Sequence, residues 1–205
     1  MPTDTSTTNS APINWVCSGK FNFTTGFSAT KQEAMIANYA AFIAPLALYF
    51  AVWQGLEWSW IQVAVASLLT LDMIGGVLSN SLGSMKRFLH SEQSLDVGRL
   101  AKLVKSKFLF PLVHLQLFAI PVFFEAPWTY AYCWYGAMIG SICILHLLPL
   151  YLHRPIALLF IMMSIILATI TYAPTGLEWL APIFMIKLVL SHGVREEPYR
   201  PSIDS

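Results

Sequence analysis

The chain has 205 residues, of which 56% are hydrophobic and 11% charged, with a formal net charge of +1. Soluble domains carry roughly 25% charged residues, so this composition excludes an ordinary soluble globule. The near-zero net charge also leaves no case for nucleic acid as a partner. A mean hydropathy of +0.60, carried in long apolar runs, points instead to a multi-pass protein whose main partner is the lipid bilayer.

In chain order, residues 1–31 are rich in Thr, Ser, Asn and Gly and read as a polar, flexible tail. They lack the basic stretch and apolar core of a cleavable signal peptide. Residues 32–192 read as the membrane domain, with spans at about 35–53, 58–85, 108–124, 128–152, 155–172 and 177–192. Residues 193–205 form a cytoplasmic tail, "SHGVREEPYRP" at its start mixing acids, bases and prolines in a way that would let it fold under the bundle. The third and sixth spans are short and contain Pro111, Pro121 and Pro182. Proline is tolerated in a membrane helix where neighbours satisfy the freed carbonyl. The expected fold is therefore an all-α integral membrane protein, a six-helix transmembrane bundle.

Charge placement orients that bundle. Lys20, Lys31, Lys86, Arg87, Arg99, Lys102, Lys105, Lys107, Arg154, Arg195 and Arg200 all fall on one side, and the remaining basic residue, Lys187, lies inside the sixth span. The positive-inside rule then makes both termini cytoplasmic. The outer loops hold "GLEW" at 55–58 and 176–179 and "EAPW" at 125–128. Glutamate suits a helix N-terminus and Trp the interface, so these motifs need no further role. Cys17, Cys133 and Cys143 form no CxxC pair, so a metal ribbon or thioredoxin-type site is not expected.

The second span carries the most informative stretch, "LTLDMIGGVLSN" at 69–80. Asp72, Gly75, Gly76, Ser79, Asn80 and Gly83 share one helical face, which continued inward reaches Arg87 and His90. A carboxylate at mid-membrane depth costs about 2.5–3.5 kcal/mol on insertion scales and marks a cavity or bundle interior. Asp72 lies ~21 Å in from Trp58 along the helix, past the midplane. The histidines His90, His114, His146, His153 and His192, with Lys187, fall in the same cytoplasmic half. That one-sided polarity predicts a cavity open to the cytoplasm, lined by the second, third, fourth and sixth helices.

Three classes of function fit. In the first, the protein is an intramembrane enzyme acting on a lipophilic, lipid- or isoprenoid-like molecule. Asp72 is its general acid or base, with Asn80, His114 and Lys187 completing the catalytic set. Arg87, His90, His146, His192 and Gly76 then contact the substrate. In the second, it is a small proton- or cation-coupled transporter or channel with Asp72 as the ion site, a role for which a homo-oligomer would suit six helices. In the third, it is a haem- or metal-binding or accessory subunit of a membrane complex. No HxxH or HExxH spacing occurs, no cofactor is favoured, and a bis-histidine haem would fall to His114 and His146.

Overall fold

Two of the helices begin at signals written in the chain. Thr30 and Glu33 form a reciprocal capping box, Thr30 Oγ1 accepting from the Glu33 amide at 3.1 Å and Glu33 Oε2 from the Thr30 amide at 2.7 Å. Ser59 and Gln62 repeat the device. Each box satisfies amide donors that a helix N-terminus leaves open. The computed structural model describes residues 12–200 and is mostly helical.

The elements are β1 (Phe21–Asn22), β2 (Gly26–Phe27), α1 (Lys31–Tyr39), α2 (Ile43–Ala51), α3 (Trp60–Ser81) and α4 (Gly83–His90). They continue with α5 (Arg99–Lys105), α6 (Leu109–Leu112), α7 (Ala119–Phe123), α8 (Trp128–Leu147), α9 (Leu150–Ala168) and α10 (Leu180–Met185), extended by a π-helical stretch at Ile186–His192. Four apolar helical stretches are long enough to cross a membrane: Lys31–Gly55, α3, α8 and α9. A further pair, Arg99–Lys105 and Leu109–Phe123, is bent by 99°, and Leu180–His192 is apolar but short. Met35, Ile43, Phe50, Leu68, Met162 and Ile166 point outward. An apolar outer surface of this extent fits lipid rather than water.

The core joins α3, α7, α8, α9 and α10. Ala66, Met73, Leu117, Ile120, Met138, Ala157, Leu180 and Phe184 are buried in it. At one end, Trp53 and Trp179 both donate indole N–H bonds to the Gly176 carbonyl, at 3.1 and 3.0 Å. Gly176 sits at φ +88° against Leu56 and Trp53, so the two GLEW loops meet, and only glycine accepts that backbone at that closeness.

At the opposite end, the structure revises the expected polar tail. Residues 1–11 lie outside the described residues, but 12–30 carry the β1–β2 hairpin and cap the bundle. Asn22 Oδ1 accepts from the Thr24 amide at 2.8 Å, closing the turn. Phe21, Phe27 and Phe88 cluster beneath it, with Phe21 and Phe88 centroids 4.3 Å apart. Gly26, at φ +72°, presses on the Ser84–Met85 backbone, where a Cβ would collide. The aromatic spacing supplies the burial that the Thr/Ser/Asn composition hides.

The C-terminal segment folds against the same end. Ile13 and Tyr199 form an antiparallel bridge, and the Asn14 amide donates to the Pro198 carbonyl at 2.9 Å. Lys86 anchors it: its ammonium donates to the Ser191 and Val194 carbonyls at 2.7 and 2.8 Å and pairs with Glu196 at 3.1 Å. Burial pushes the Lys86 ammonium below its ordinary range, and Glu196 opposes that shift. Lys86→Met strands these buried acceptors and should lower unfolding stability by about 3 kcal/mol, while exposing residues 196–200 to limited proteolysis. Glu196→Gln removes the counter-charge but leaves the Lys86 ammonium its two carbonyl acceptors, and should cost about 1 kcal/mol. Chemical unfolding in detergent checks both.

Candidate functional site

The polar face of α3 ends where the helix ends. Leu82 adopts an extended backbone (φ −66°, ψ 141°), so α4 leaves in a new direction. The expected continuation of the stripe through Arg87 and His90 therefore does not form. A helical offset holds only while the helix does.

What the stripe does line is a cavity of about 380 Å³. Asp72, Gly75, Gly76, Ser79 and Asn80 of α3 form one wall, with His114 and Lys187 opposite. Apolar cover comes from Phe42, Leu71 and Phe110. The fourth helix, expected to contribute, does not reach it. The N-terminal cap does, through Phe23 and Thr24, and α1 adds Asn38. Thr24 Oγ1 donates to Asn38 Oδ1 at 3.1 Å, and Ser79 Oγ donates to the Thr24 carbonyl, tying the cap to α3. The TKQE capping box was the available sequence signal that helix, not loose tail, begins at Lys31.

Asp72 and Lys187 meet across the cavity. Lys187 Nζ lies 2.8 Å from Asp72 Oδ1. The lysine side chain is 2% exposed, whereas the carboxylate is 43% exposed and open on its other side. Gly76 makes this approach feasible: a Cβ there would lie 2.8 Å from Lys187 Cδ and closer still to Cε. Lys187 also sits on the π-helical stretch, whose wider coil is often found where a side chain serves a site.

Two further groups complete the cavity. Asn80 is 4% exposed and its Nδ2 has no hydrogen-bond partner. Such an orphaned donor is costly unless something accepts from it. His114 lies where the third span is interrupted, between α6 and the short 3₁₀ turn Gln116–Phe118. Its Nδ1 is 2.6 Å from the Phe110 carbonyl, which can only accept, so Nδ1 carries the proton and Nε2 is left as an acceptor.

The other expected substrate contacts lie elsewhere. Arg87 is fully buried beneath the hairpin, its Nη2 3.3 Å from the Phe27 carbonyl and 3.4 Å from that of Ser28. His192 donates from Nε2 to the Val104 carbonyl at 2.8 Å and stacks on Phe110 at 4.4 Å, so it braces a cavity wall from behind. His90 and His146 line a different cavity, together with His153. The histidines thus divide into two groups. His114 and His146, paired in the haem expectation, do not share a space, and each donates Nδ1–H to a carbonyl one turn back on its own segment. Among the described residues, no group of three or more His, Cys, Asp or Glu side chains is placed to hold a metal ion.

Outside the spans, His90 has the most perturbed environment. Burial pushes its pKa down to about 2, and the positive charges of Lys86, His192, Lys107 and Arg195 add to the shift. A folded value below the unfolded one means the unfolded chain binds the extra proton between the two. This contribution to stability is therefore complete above about pH 6.5 and lost as pH falls. Acidification below that value should destabilise the protein by up to about 1.4 kcal/mol per pH unit from His90 alone. His90→Gln should flatten the profile in thermal unfolding.

At the ion pair, Asp72→Asn leaves a buried ammonium without its counter-charge and should cost about 3 kcal/mol. Asp72→Asn combined with Lys187→Met should recover most of that loss. Gly76→Ala should weaken the Asp72–Lys187 coupling in the same double-mutant cycle, since the flexible lysine stem gives way before the backbone does.

No protein-family model, curated protein or solved structure matches this chain, so its function is argued from this geometry alone.

Proposed function

We propose that the protein is a six-crossing membrane enzyme that holds a lipophilic small molecule with a polar head in the Asp72 cavity and acts on it by proton transfer. Counting the bent pair as one crossing and the short apolar Leu180–His192 helix as another, beside the four long helices, gives the six of this reading. Pairing of Ile13 with Tyr199 keeps the first and last described segments at one end, which favours an even number. The basic residues gathered at that end favour the cytoplasm for both termini.

One observation carries the chemical reading. The open side of the Asp72 carboxylate and the unpartnered Asn80 amide face one largely apolar cavity, with the Lys187 ammonium already committed to Asp72. A mostly apolar space with a few convergent polar groups is the usual form of a small-molecule site. The Asp72 carboxylate, held by the Lys187 ammonium through one oxygen, is the base in this reading. It takes a proton from the bound molecule. Asn80 Nδ2 and Lys187 Nζ then stabilise the negative charge left on it, and His114 Nε2 accepts a hydrogen bond from its polar head.

A coupled transporter is the second reading, favoured by the interruption of the third span at His114. Non-helical backbone at membrane depth is tolerated where it lines a cavity, and transporters build ion sites this way.

The test begins with protein purified into nanodiscs made from total host lipid, followed by mass spectrometry of what it retains. Wild-type protein should retain one class of amphiphile that Asp72→Asn and Lys187→Met lose by about tenfold or more. Asn80→Ala should show a smaller loss. Identical profiles in all four proteins would refute a ligand in this cavity. Conversion of the retained compound by wild type but not Asp72→Asn supports the enzyme. Flux of that compound across proteoliposomes without conversion supports the transporter.

A further inference from the structure

The histidines that left the Asp72 cavity line a second one, of about 480 Å³, at the capped end of the bundle. Its walls come from five separate parts of the chain. His90 stands at the end of α4, Lys105 and Lys107 lie where α5 gives way to α6, His146 and His153 flank the Pro149 break between α8 and α9, and Arg195 arrives from the C-terminal segment. Glu92 is the one acidic residue on the lining, and its side chain is 92% exposed, at the rim.

The polar groups here are partly committed and partly open. Lys105 donates to the Ser91 carbonyl at 2.8 Å, which leaves two ammonium hydrogens. Arg195 lies over the Trp15 ring at 4.4 Å and reaches Glu92 only at 3.9 Å. Lys107 is exposed. His146 donates Nδ1–H to the Ile142 carbonyl at 2.8 Å, and its buried Nε2 has no partner. His153 donates Nε2–H to the Leu148 carbonyl at 3.1 Å. The rings of His146 and His153 lie 6.4 Å apart, and each gains a second N–H on protonation. His90 is the decisive member. It is 8% exposed, and neither of its ring nitrogens has a partner.

A buried imidazole with two orphaned nitrogens, surrounded by cations, lacks an acceptor and a negative charge. A metal ion would supply neither, and Lys105, Lys107 and Arg195 would repel it. A carboxylate offers acceptors in one plane only. A tetrahedral oxyanion presents oxygens in four directions, matching His90, Lys105, Lys107 and Arg195, whose donors converge from three parts of the chain, with His146 and His153 adding an N–H each when protonated. Burial keeps His90 neutral, and the positive charges gathered around it are what such an anion would answer.

We infer that this second cavity is a binding site for a phosphate-type group, either the headgroup of an anionic lipid or a free phosphate ester, separate from the Asp72 cavity. Leu89, Leu148 and Leu150 on the lining provide apolar contact beside the charge. At the end of a bundle rich in basic residues, that is the chemistry of a lipid phosphate at the membrane surface.

The experiment has two arms, run on the full-length protein at matched ionic strength. In neutral detergent, titration with inorganic phosphate against chloride is followed by calorimetry. In nanodiscs of phosphatidylcholine alone or mixed with phosphatidylglycerol, retained lipid is read by native mass spectrometry. Saturable heat from phosphate supports the site with a free ligand as its source. Selective retention of phosphatidylglycerol supports it with a headgroup as its source. Lys107→Gln with His153→Gln, both at partly or fully exposed positions, should weaken whichever binding is seen by about tenfold, the loss of one charge-assisted hydrogen bond. Lys102→Gln, exposed on α5 but outside the cavity, should leave it unchanged. Absence of binding in both arms overturns the inference. So does equal weakening by Lys102→Gln, which would mean diffuse surface charge rather than a built site.

Discussion

The ion pair between Asp72 and Lys187 sets the terms for its surroundings. A carboxylate placed inside an apolar bundle is tolerable only with a counter-charge, and the counter-charge must come from another helix. That requirement brings the last helix close along α3. The close approach in turn requires Gly76, because a side chain there would occupy the space of the lysine stem. Gly75 extends the small surface against which the first apolar stretch packs, with Ala41 as its nearest neighbour. One electrostatic need thus selects residue size on α3 and brings both ends of the chain toward one cavity.

The capped end answers a different constraint. The last helix ends there with carbonyls that need donors, and Lys86 provides them. Because Lys86 is itself buried, Glu196 must fold back to meet it, and the C-terminal segment comes with it. That segment then bridges to residues 12–14, which closes the hairpin over Phe88 and Arg87. The cap joins this chain of polar contacts to a hydrophobic cluster of its own. That cluster, around Phe27, Met85, Phe88 and Leu89, fills the space beneath.

These two constraints also divide the titratable groups. Asp72, Lys187 and His114 share a cavity where opposite charges balance. His90, His146 and His153 share one where positive charges outnumber the single lining carboxylate, Glu92 at the rim. At the Asp72 cavity, Phe110 packs on His114 at 4.2 Å and on His192 at 4.4 Å.

Much of this was legible in the residues. Helical character, apolar spans and the cluster of Asp72, Gly75, Gly76, Ser79 and Asn80 on one face follow from local periodicity, which depends on bond geometry and neighbouring side chains alone. That Asp72 and Lys187 fall in the same half of the bundle followed from their depths along the second and sixth spans. The tertiary structure decided what depends on where helices stop and which segments then meet. The extended backbone at Leu82 sent Arg87 and His90 away from the face they appeared to continue. The pull of Lys86 on Glu196, and of buried Phe21 and Phe27 on Phe88, turned a polar tail into a cap. The break at Pro149 gave His146 and His153 a cavity apart from His114. Each of these outcomes rests on contacts between residues distant in the chain, and periodicity carries no information about those.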